Sequence, residues 1–338
     1  MAADLMWPLV MAAVLTALLG WPLRAWLTGA NLVDQPDHRR SHRRPTPRGG
    51  GLAMVLAMAF VLVLAGGVNA EIAVVIFFTA GLAFLGWTDD VRDLAVRWRL
   101  LAQLLIALAM LLFTGPVGSV QVFGLTLNWP WLWSALGLVA VVWLINLHNF
   151  MDGSDGLAAL QGIWTGLVMG TLMAFRDGPT AALVGFTLAG ACLGFLWWNR
   201  PTARLFMGDT GSVTLGGLVA LLALTGAAEG RVSVWLSLIV CSVFVVDATA
   251  TLLRRVGRGA RWYTPHREHL YQRLIAGGWS HARVLVLYAM VNLLVVLPVV
   301  LLAIRFPAWE MILALALTAL LAAGWSFAQA STTKENLS

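Results

Sequence analysis

The sequence predicts an all-α fold that crosses a membrane about eleven times. Three observations carry this reading. First, 60% of the 338 residues are hydrophobic and only 11% are charged, against about 25% charged in a soluble domain. Second, apolar runs recur that are long enough to cross a ~30 Å hydrocarbon core as helices. Third, the arginines gather on alternate loops, as the positive-inside pattern requires. A transmembrane barrel is excluded, because its strands alternate apolar and polar residues over about ten positions and no run of that length does so here. Cys192 and Cys241 both lie in apolar runs and offer neither metal-ligand spacing nor a disulfide framework.

The expected spans are 5–27, 51–68, 71–88, 98–114, 130–147, 157–175, 180–198, 211–227, 232–252, 283–304 and 309–327. The first lacks a basic leader and a small-residue cleavage site, so it is expected to be retained rather than removed as a signal peptide. Arg39, Arg40, Arg43, Arg44 and Arg48 follow it. Arg92, Arg97 and Arg99 follow the third span, Arg200 and Arg204 the seventh, and a dense series from Arg254 to Arg283 the ninth. The opposite loops carry Arg176, Arg231 and Arg305. The N-terminus is therefore expected outside and the tail inside. Between the fourth and fifth spans, the alternation of Val120, Val122, Leu125 and Leu127 around Gly124 predicts a small external hairpin.

The acidic residues of interest fall on the basic face. The stretch Asn146-Leu147-His148-Asn149-Phe150-Met151-Asp152-Gly153-Ser154-Asp155-Gly156 joins two apolar runs. An aspartate at the bilayer centre costs about 2.5–3.5 kcal/mol on insertion scales, so these acids belong at a helix end or in water. Asp155 alone reads as an N-cap of the next helix. Asp89 and Asp90 close the third span, where carboxylates oppose the helix dipole; this points to function rather than stability. Asp209 lies between Gly208 and Gly211 at the mouth of the eighth span.

Three further features flank these acids. The stretch Pro45-Thr46-Pro47-Arg48-Gly49-Gly50-Gly51 ends the first basic loop. Its arginines suit anionic lipid head groups, whereas its glycines suit close approach of the backbone to a ligand at a helix N-terminus that favours anions. Asp247 is embedded in a span, about 10 Å inside the basic end at 1.5 Å per residue; helix pairing and a site role fit it equally. In the late loop, Thr264 and Pro265 are expected to start a short helix. That helix puts His266, His269 and Arg273 on one face, beside Arg267. Such a face grips phosphate or, as an interfacial helix, lipid head groups.

Asp89, Asp90, Asp152, Asp155 and Asp209 thus come from three loops on one face. Two unit charges ~4 Å apart repel by about 4 kcal/mol at an effective dielectric of ~20, so such a cluster calls for a divalent cation. Magnesium suits it, taking one or two carboxylates plus water and substrate phosphates; no Cys/His set is present for zinc. Acids, a metal and basic groups at an inner membrane surface imply phosphoryl transfer from a soluble donor to a lipid acceptor.

These motifs resemble the polyprenyl-phosphate N-acetylhexosamine-1-phosphate transferases. The matching residues are Asp89-Asp90, Asn146-x-x-Asn149-x-x-Asp152-Gly153-x-Asp155-Gly156-Leu157, and Phe206-Met207-Gly208-Asp209-Thr210-Gly211-Ser212, with the Pro-Thr-Pro-x-Gly-Gly loop and the late His/Arg loop. The resemblance implies a single integral membrane domain, 1–338, with a cytoplasmic active site built from loops 29–50, 87–99, 146–156, 198–212 and 253–282. It implies transfer of a sugar-1-phosphate from a UDP-N-acetylhexosamine (GlcNAc or a 6-deoxy relative) to undecaprenyl phosphate, releasing UMP. Magnesium is the implied cofactor, with manganese as an allowed substitute. Asp209 is then the chief metal ligand, and Asp89 a base or metal contact for the lipid phosphate. Asp90, Asp152 and Asp155 complete the catalytic set. Asn146, Asn149, Asn199, Arg48, His266, Arg267 and His269 are the expected substrate contacts. Membrane lipid is an expected partner, a homodimer is allowed, and no nucleic acid is expected.

The peptidoglycan branch, acting on the muramyl-pentapeptide nucleotide, carries three consecutive histidines in the late loop. Here the loop reads His266-Arg267-Glu268-His269, followed by Tyr271-Gln272, and the eleventh span is an addition. The pattern is more similar to transferases that initiate O-antigen and related surface glycans in a bacterial plasma membrane. The reading from another class is an anionic-solute transporter. Transporters place ionisable groups near the midplane, whereas nearly all the acids here lie at helix ends.

Overall fold

The structure is a computed structural model that describes residues 2–35, 45–261, 264 and 266–335. Arg39, Arg40, Arg43, Arg44 and Pro265 lie outside the described residues. The chain folds as α1 (Ala2–Gly29), β1 (Val33–Asp34), β2 (Thr46–Pro47), α2 (Gly51–Gly66), α3 (Ala70–Arg92), α4 (Val96–Thr114), β3 (Val120–Val122), β4 (Leu125–Leu127) and α5 (Pro130–Phe150). There follow α6 (Leu157–Ala174), α7 (Pro179–Asn199), α8 (Gly208–Ala228), α9 (Val234–Gly257), α10 (Leu270–Ala276), α11 (His281–Val291), α12 (Leu297–Arg305) and α13 (Glu310–Glu335). The expected all-α polytopic membrane fold is the observed one.

Among the described residues, ten helical segments are long and apolar enough to cross a membrane. The π-helical turn Asn292–Val296 joins α11 and α12 into one of them. The element expected over 51–68 is α2, which is shorter than these ten. α2 has 16 residues and stops at Gly66, with Gly67 at φ 73°; at 1.5 Å per residue this is about 24 Å, short of a ~30 Å core. Its far end, Gly66, lies beside Ile72, Pro179 and Leu183 at the starts of α3 and α7, so α2 runs between the same two faces as its neighbours. The expected hairpin forms, with Val122 paired to Leu125. Phe123 and Gly124 both adopt positive φ (49° and 80°), the backbone of a type I′ turn.

Helices α6–α9 are the enclosed centre, and α1, α4 and α13 present apolar side chains outward. Buried polar pairs join helices where the hydrophobic effect supplies little drive. The Trp164 indole donates to the Val240 carbonyl at 2.9 Å, and the Asn292 amide to Gln161 at 2.9 Å. The first residues of α2, α6 and α8 and the last turns of α3, α5 and α7 meet at one face, where the polar motifs converge.

Candidate active site

The site is built on the first turn of α8. Its N-cap, Met207, has no side-chain acceptor to offer, so the orphan N–H groups are met from α3. Asp90 Oδ1 accepts the Asp209 N–H at 2.9 Å. Its Oδ2 accepts the Thr210 N–H at 2.9 Å and the Thr210 hydroxyl at 2.7 Å. An acid that opposes the dipole of its own helix thus sits at the positive end of another. This corrects the expectation that the pair serves function and not stability. Asp89 turns the other way: it accepts the Leu94 N–H at 2.8 Å and pairs with Arg99 at 2.7 Å, fastening α4 to α3. Its carboxyl group also lies in hydrogen-bonding range of Asp209.

The glycine-rich stretch supplies Arg48. The Phe206 N–H donates to the Pro47 carbonyl at 2.8 Å, and the Gly51 N–H to the Met207 carbonyl at 2.9 Å. A Cβ on Gly51 would stand 2.2 Å from Gly211, and one on Gly86 would stand 2.2 Å from the Asp209 carbonyl. These glycines let three chain segments touch around Asp209; approach to a ligand is not what requires Gly51. Arg48 then reaches inward, its Nε 2.8 Å from Asp90 Oδ1 and its Nη2 paired with Asp209.

Helix α5 runs to Phe150, three residues beyond the expected end. Asn149 therefore sits in its last turn and donates to the Ser212 hydroxyl at 3.1 Å. Asn146 is buried, with its amide 2.6 Å from Gln103 and 2.7 Å from the Val142 carbonyl. It ties α5 to α4 and does not line the cavity, so the expected substrate contact is corrected. Asp155 is not a helix cap, because that position is Gly156. Asp155 Oδ2 accepts the Ala203 N–H at 3.0 Å. Asn199 accepts the Gly156 N–H at 2.8 Å and donates to the Leu205 carbonyl at 3.0 Å. Both residues staple the loop after α5 to the loop after α7. Burial, followed by the charge of Asp209, pushes the Asp152 carboxyl well above the usual carboxylate range.

The late loop departs from its expected form. Helix α10 begins at Leu270, after His269, so His266 and His269 do not share a helical face with Arg273. Tertiary contacts hold the preceding residues extended. Glu268 pairs with Arg255 through its side chain and accepts the Gln329 amide through its carbonyl at 2.9 Å. His269 is buried, its Nδ1 3.9 Å from Asp247, and His266 packs on it with ring centroids 4.9 Å apart. Neither lines the cavity; Arg267 does.

Burial, and then the charges of His269 and Arg255, lowers the His266 pKa to about 4. A histidine whose folded pKa lies below its unfolded value of ~6.5 stabilises the fold fully above that value and loses this contribution as pH falls toward 4. The wild-type melting temperature is therefore expected to fall more steeply over this window than that of His266→Gln. Equal slopes would remove His266 from the acid sensitivity.

The cavity encloses about 560 Å³, within the usual range for ligand sites, and Arg48, Asn149, Asp152, Asp155, Asn199, Asp209 and Arg267 line it. Asp89, Asp90, Asn146, His266 and His269 stand behind its walls. Sequence reasoning missed Asp34, Ser154, Tyr271 and Gln272, which also line it. Of these, only Tyr271-Gln272 left a signal, as the departure from the histidine run. The acids fit a hard cation. Asp89 and Asp209 lie close to one another, each paired with an arginine. Among the described residues no three His, Cys, Asp or Glu side chains surround a metal-sized point. An ion here would complete its shell with water or substrate oxygens, as magnesium does.

Residues 72–227 match the family described as glycosyl transferase family 4. The chain is 33% identical over 294 residues to a phospho-N-acetylmuramoyl-pentapeptide-transferase of Synechococcus sp. (strain JA-2-3B'a(2-13)), covering 81% of this chain and 84% of that protein. It is 34% identical over 266 residues to a probable undecaprenyl-phosphate N-acetylglucosaminyl 1-phosphate transferase of Bacillus subtilis (strain 168), covering 76% and 73%. It is 32% identical over 321 residues to a decaprenyl-phosphate N-acetylglucosaminephosphotransferase of Mycobacterium tuberculosis (strain ATCC 25618 / H37Rv), covering 83% and 78%. The chain belongs to the polyprenyl-phosphate N-acetylhexosamine-1-phosphate transferases. The matched block of this transferase contains Asp89 and Asp90 of α3, Asp152 and Asp155 of the loop after α5, and Asp209 of α8, together with Asn199. Arg48 and the late loop lie outside it.

Proposed function

We propose that the transferase moves a sugar-1-phosphate from a UDP-N-acetylhexosamine, GlcNAc or a 6-deoxy relative, to undecaprenyl phosphate. The reaction takes place at the cytoplasmic face of a bacterial plasma membrane and starts a lipid-linked surface glycan such as O-antigen. The observation that carries this reading is the meeting of Asp152 and Asp209 with Arg48 and Arg267 in one cavity at the ends of membrane helices. The relatives named for transfer of N-acetylglucosamine phosphate to a polyprenyl phosphate support it.

In this reaction an oxygen of the lipid phosphate attacks the β-phosphorus of the UDP-sugar. The bond from that phosphorus to the bridging oxygen breaks, and UMP leaves with the electron pair. A proton on the lipid phosphate passes to a cavity carboxylate. Arg48 and Arg267 hold fixed positive charge against the phosphate oxygens and the departing UMP, where pre-placed charge lowers the barrier most. Asn149, held by Ser212, and Asp155, held by Ala203, give the donor a rigid wall. Magnesium, or manganese in its place, would be held by Asp209 with Asp152 and would supply neutralisation of the pyrophosphate charge.

A donor panel tests this. Purified protein with undecaprenyl phosphate is given UDP-GlcNAc, a 6-deoxy N-acetylhexosamine nucleotide or the muramyl-pentapeptide nucleotide. Labelled lipid and UMP are expected from one of the first two, without any ion gradient. Turnover of the pentapeptide nucleotide alone would assign the peptidoglycan reaction instead. Gradient-driven uptake into vesicles with no lipid product would make the protein a transporter.

A further inference from the structure

Asp247 is 3% exposed within α9, does not line the cavity and takes no part in the reaction above. We propose that it is a positioning residue that holds the late-loop wall of the active site in place. Oδ1 accepts the Leu270 N–H at 2.8 Å, the Trp325 indole N–H at 3.1 Å and the Thr251 hydroxyl at 3.3 Å. Oδ2 accepts the Tyr288 hydroxyl at 2.6 Å. The donors belong to α10, α13, α9 and α11, so one carboxylate joins four helices. An ionisable group inside a membrane bundle is costly and marks function, and well-packed apolar residues often replace a buried charge without loss of stability. Helix pairing alone therefore does not account for an acid with four donors.

The link to the chemistry is one residue long. Leu270 opens α10, and Tyr271 follows it. The fully buried Tyr271 donates its hydroxyl to the Phe150 carbonyl at 2.9 Å, two residues before Asp152. A Cβ on Gly153 would stand 2.1 Å from the Tyr271 oxygen, so this phenol and the loop of Asp152 are in contact. Arg267 and Gln272 line the cavity on either side of the anchored residue. A shift of Leu270 therefore shifts the wall that carries Arg267 and the support beneath Asp152. A displacement of about 1 Å at such a wall costs about a hundredfold in rate.

Leu270→Pro deletes the anchoring N–H, and Leu270→Ala, expected to keep wild-type kcat and exchange, controls for the lost side chain, which packs against the core. Leu270 occupies the first helical position, where proline is favoured and its missing N–H is not needed by the helix. His269, at φ −60° and ψ 148°, already has the backbone that a residue before proline adopts. Wild type, Asp247→Asn, Leu270→Pro, Leu270→Ala and Tyr288→Phe are compared for kcat at saturating UDP-sugar and polyprenyl phosphate, for melting temperature, and for hydrogen exchange in peptides covering 146–156 and 266–276. Asp247→Asn and Leu270→Pro are expected to lower kcat by about ten- to a hundredfold and to speed exchange in both peptides. Tyr288→Phe is expected to lower the melting temperature while leaving kcat and exchange at wild-type values. Wild-type kcat and exchange in Leu270→Pro would overturn the proposal. So would a fall in kcat in Tyr288→Phe equal to that in Asp247→Asn, because activity would then follow stability alone. The rate comparison rests on the proposed reaction. If the wild type transfers sugar phosphate from no donor, that reaction fails, and the exchange comparison by itself decides the positioning role.

Discussion

Asp209→Asn is expected to lower turnover by about 10²–10³-fold, the size of effect seen when one pre-placed electrostatic group is removed from an active site, and to leave the transferase folded. Asp209 stands beside Asp89 and is paired with Arg48, with Asp90 accepting its own backbone N–H. Asparagine keeps the shape of the side chain and removes one charge from a group of acids. The metal-free melting temperature is therefore expected to hold or rise. Magnesium should raise the melting temperature of the wild type, by linkage, and should do so far less in the variant. Near-normal turnover of Asp209→Asn at limiting magnesium would remove this residue from the metal role.

Asp90→Ala is expected to lose both activity and stability. The alanine leaves the Asp209 and Thr210 N–H groups and the Thr210 hydroxyl without their acceptor and takes one carboxylate from Arg48. A lost helix cap costs about 1 kcal/mol, and unsatisfied buried donors cost about 1–3 kcal/mol, so the sum is about 2–4 kcal/mol. Asp90→Asn keeps one of the two acceptor oxygens and should fall between wild type and alanine in both melting temperature and rate. A catalytic acid with no structural part would behave differently. The alanine variant would then melt at the wild-type temperature and be inactive, and that pairing of results would refute the inter-helix cap.

The membrane fold was legible because its signal is one-dimensional. Runs such as 157–175 and 180–198 need no partner to declare themselves. The cavity acids Asp152 and Asp209 were legible for a related reason, since a carboxylate beside a long apolar run has few places to go. What the chain alone hid was partnership across distance. Asp90 looks misplaced until α8 is set against it. Asn146 has the spacing of a site residue, yet Gln103 of a neighbouring helix takes its amide. Thr264-Pro265 reads as a helix start, but Arg255 and Gln329 hold Glu268 in an extended path and delay the helix to Leu270. Local capping preference is worth about 1 kcal/mol, and long-range contacts of charged groups exceed it.

The cap at the head of α8 also bears on how the protein is made. Asp90 and the Asp209 N–H that it accepts are 119 residues apart in the chain. During synthesis from the N-terminus, the α3 acids emerge while the helix they complete is still untranslated. Four further membrane helices are laid down between them. Until α8 enters the bundle, Asp89 and Asp90 have no Asp209 beside them, and Arg48 has only half of its acidic partners. The reactive cluster is thus a product of completed assembly. A nascent or truncated chain that reaches the membrane carries the individual acids but not the arrangement that would engage a nucleotide sugar.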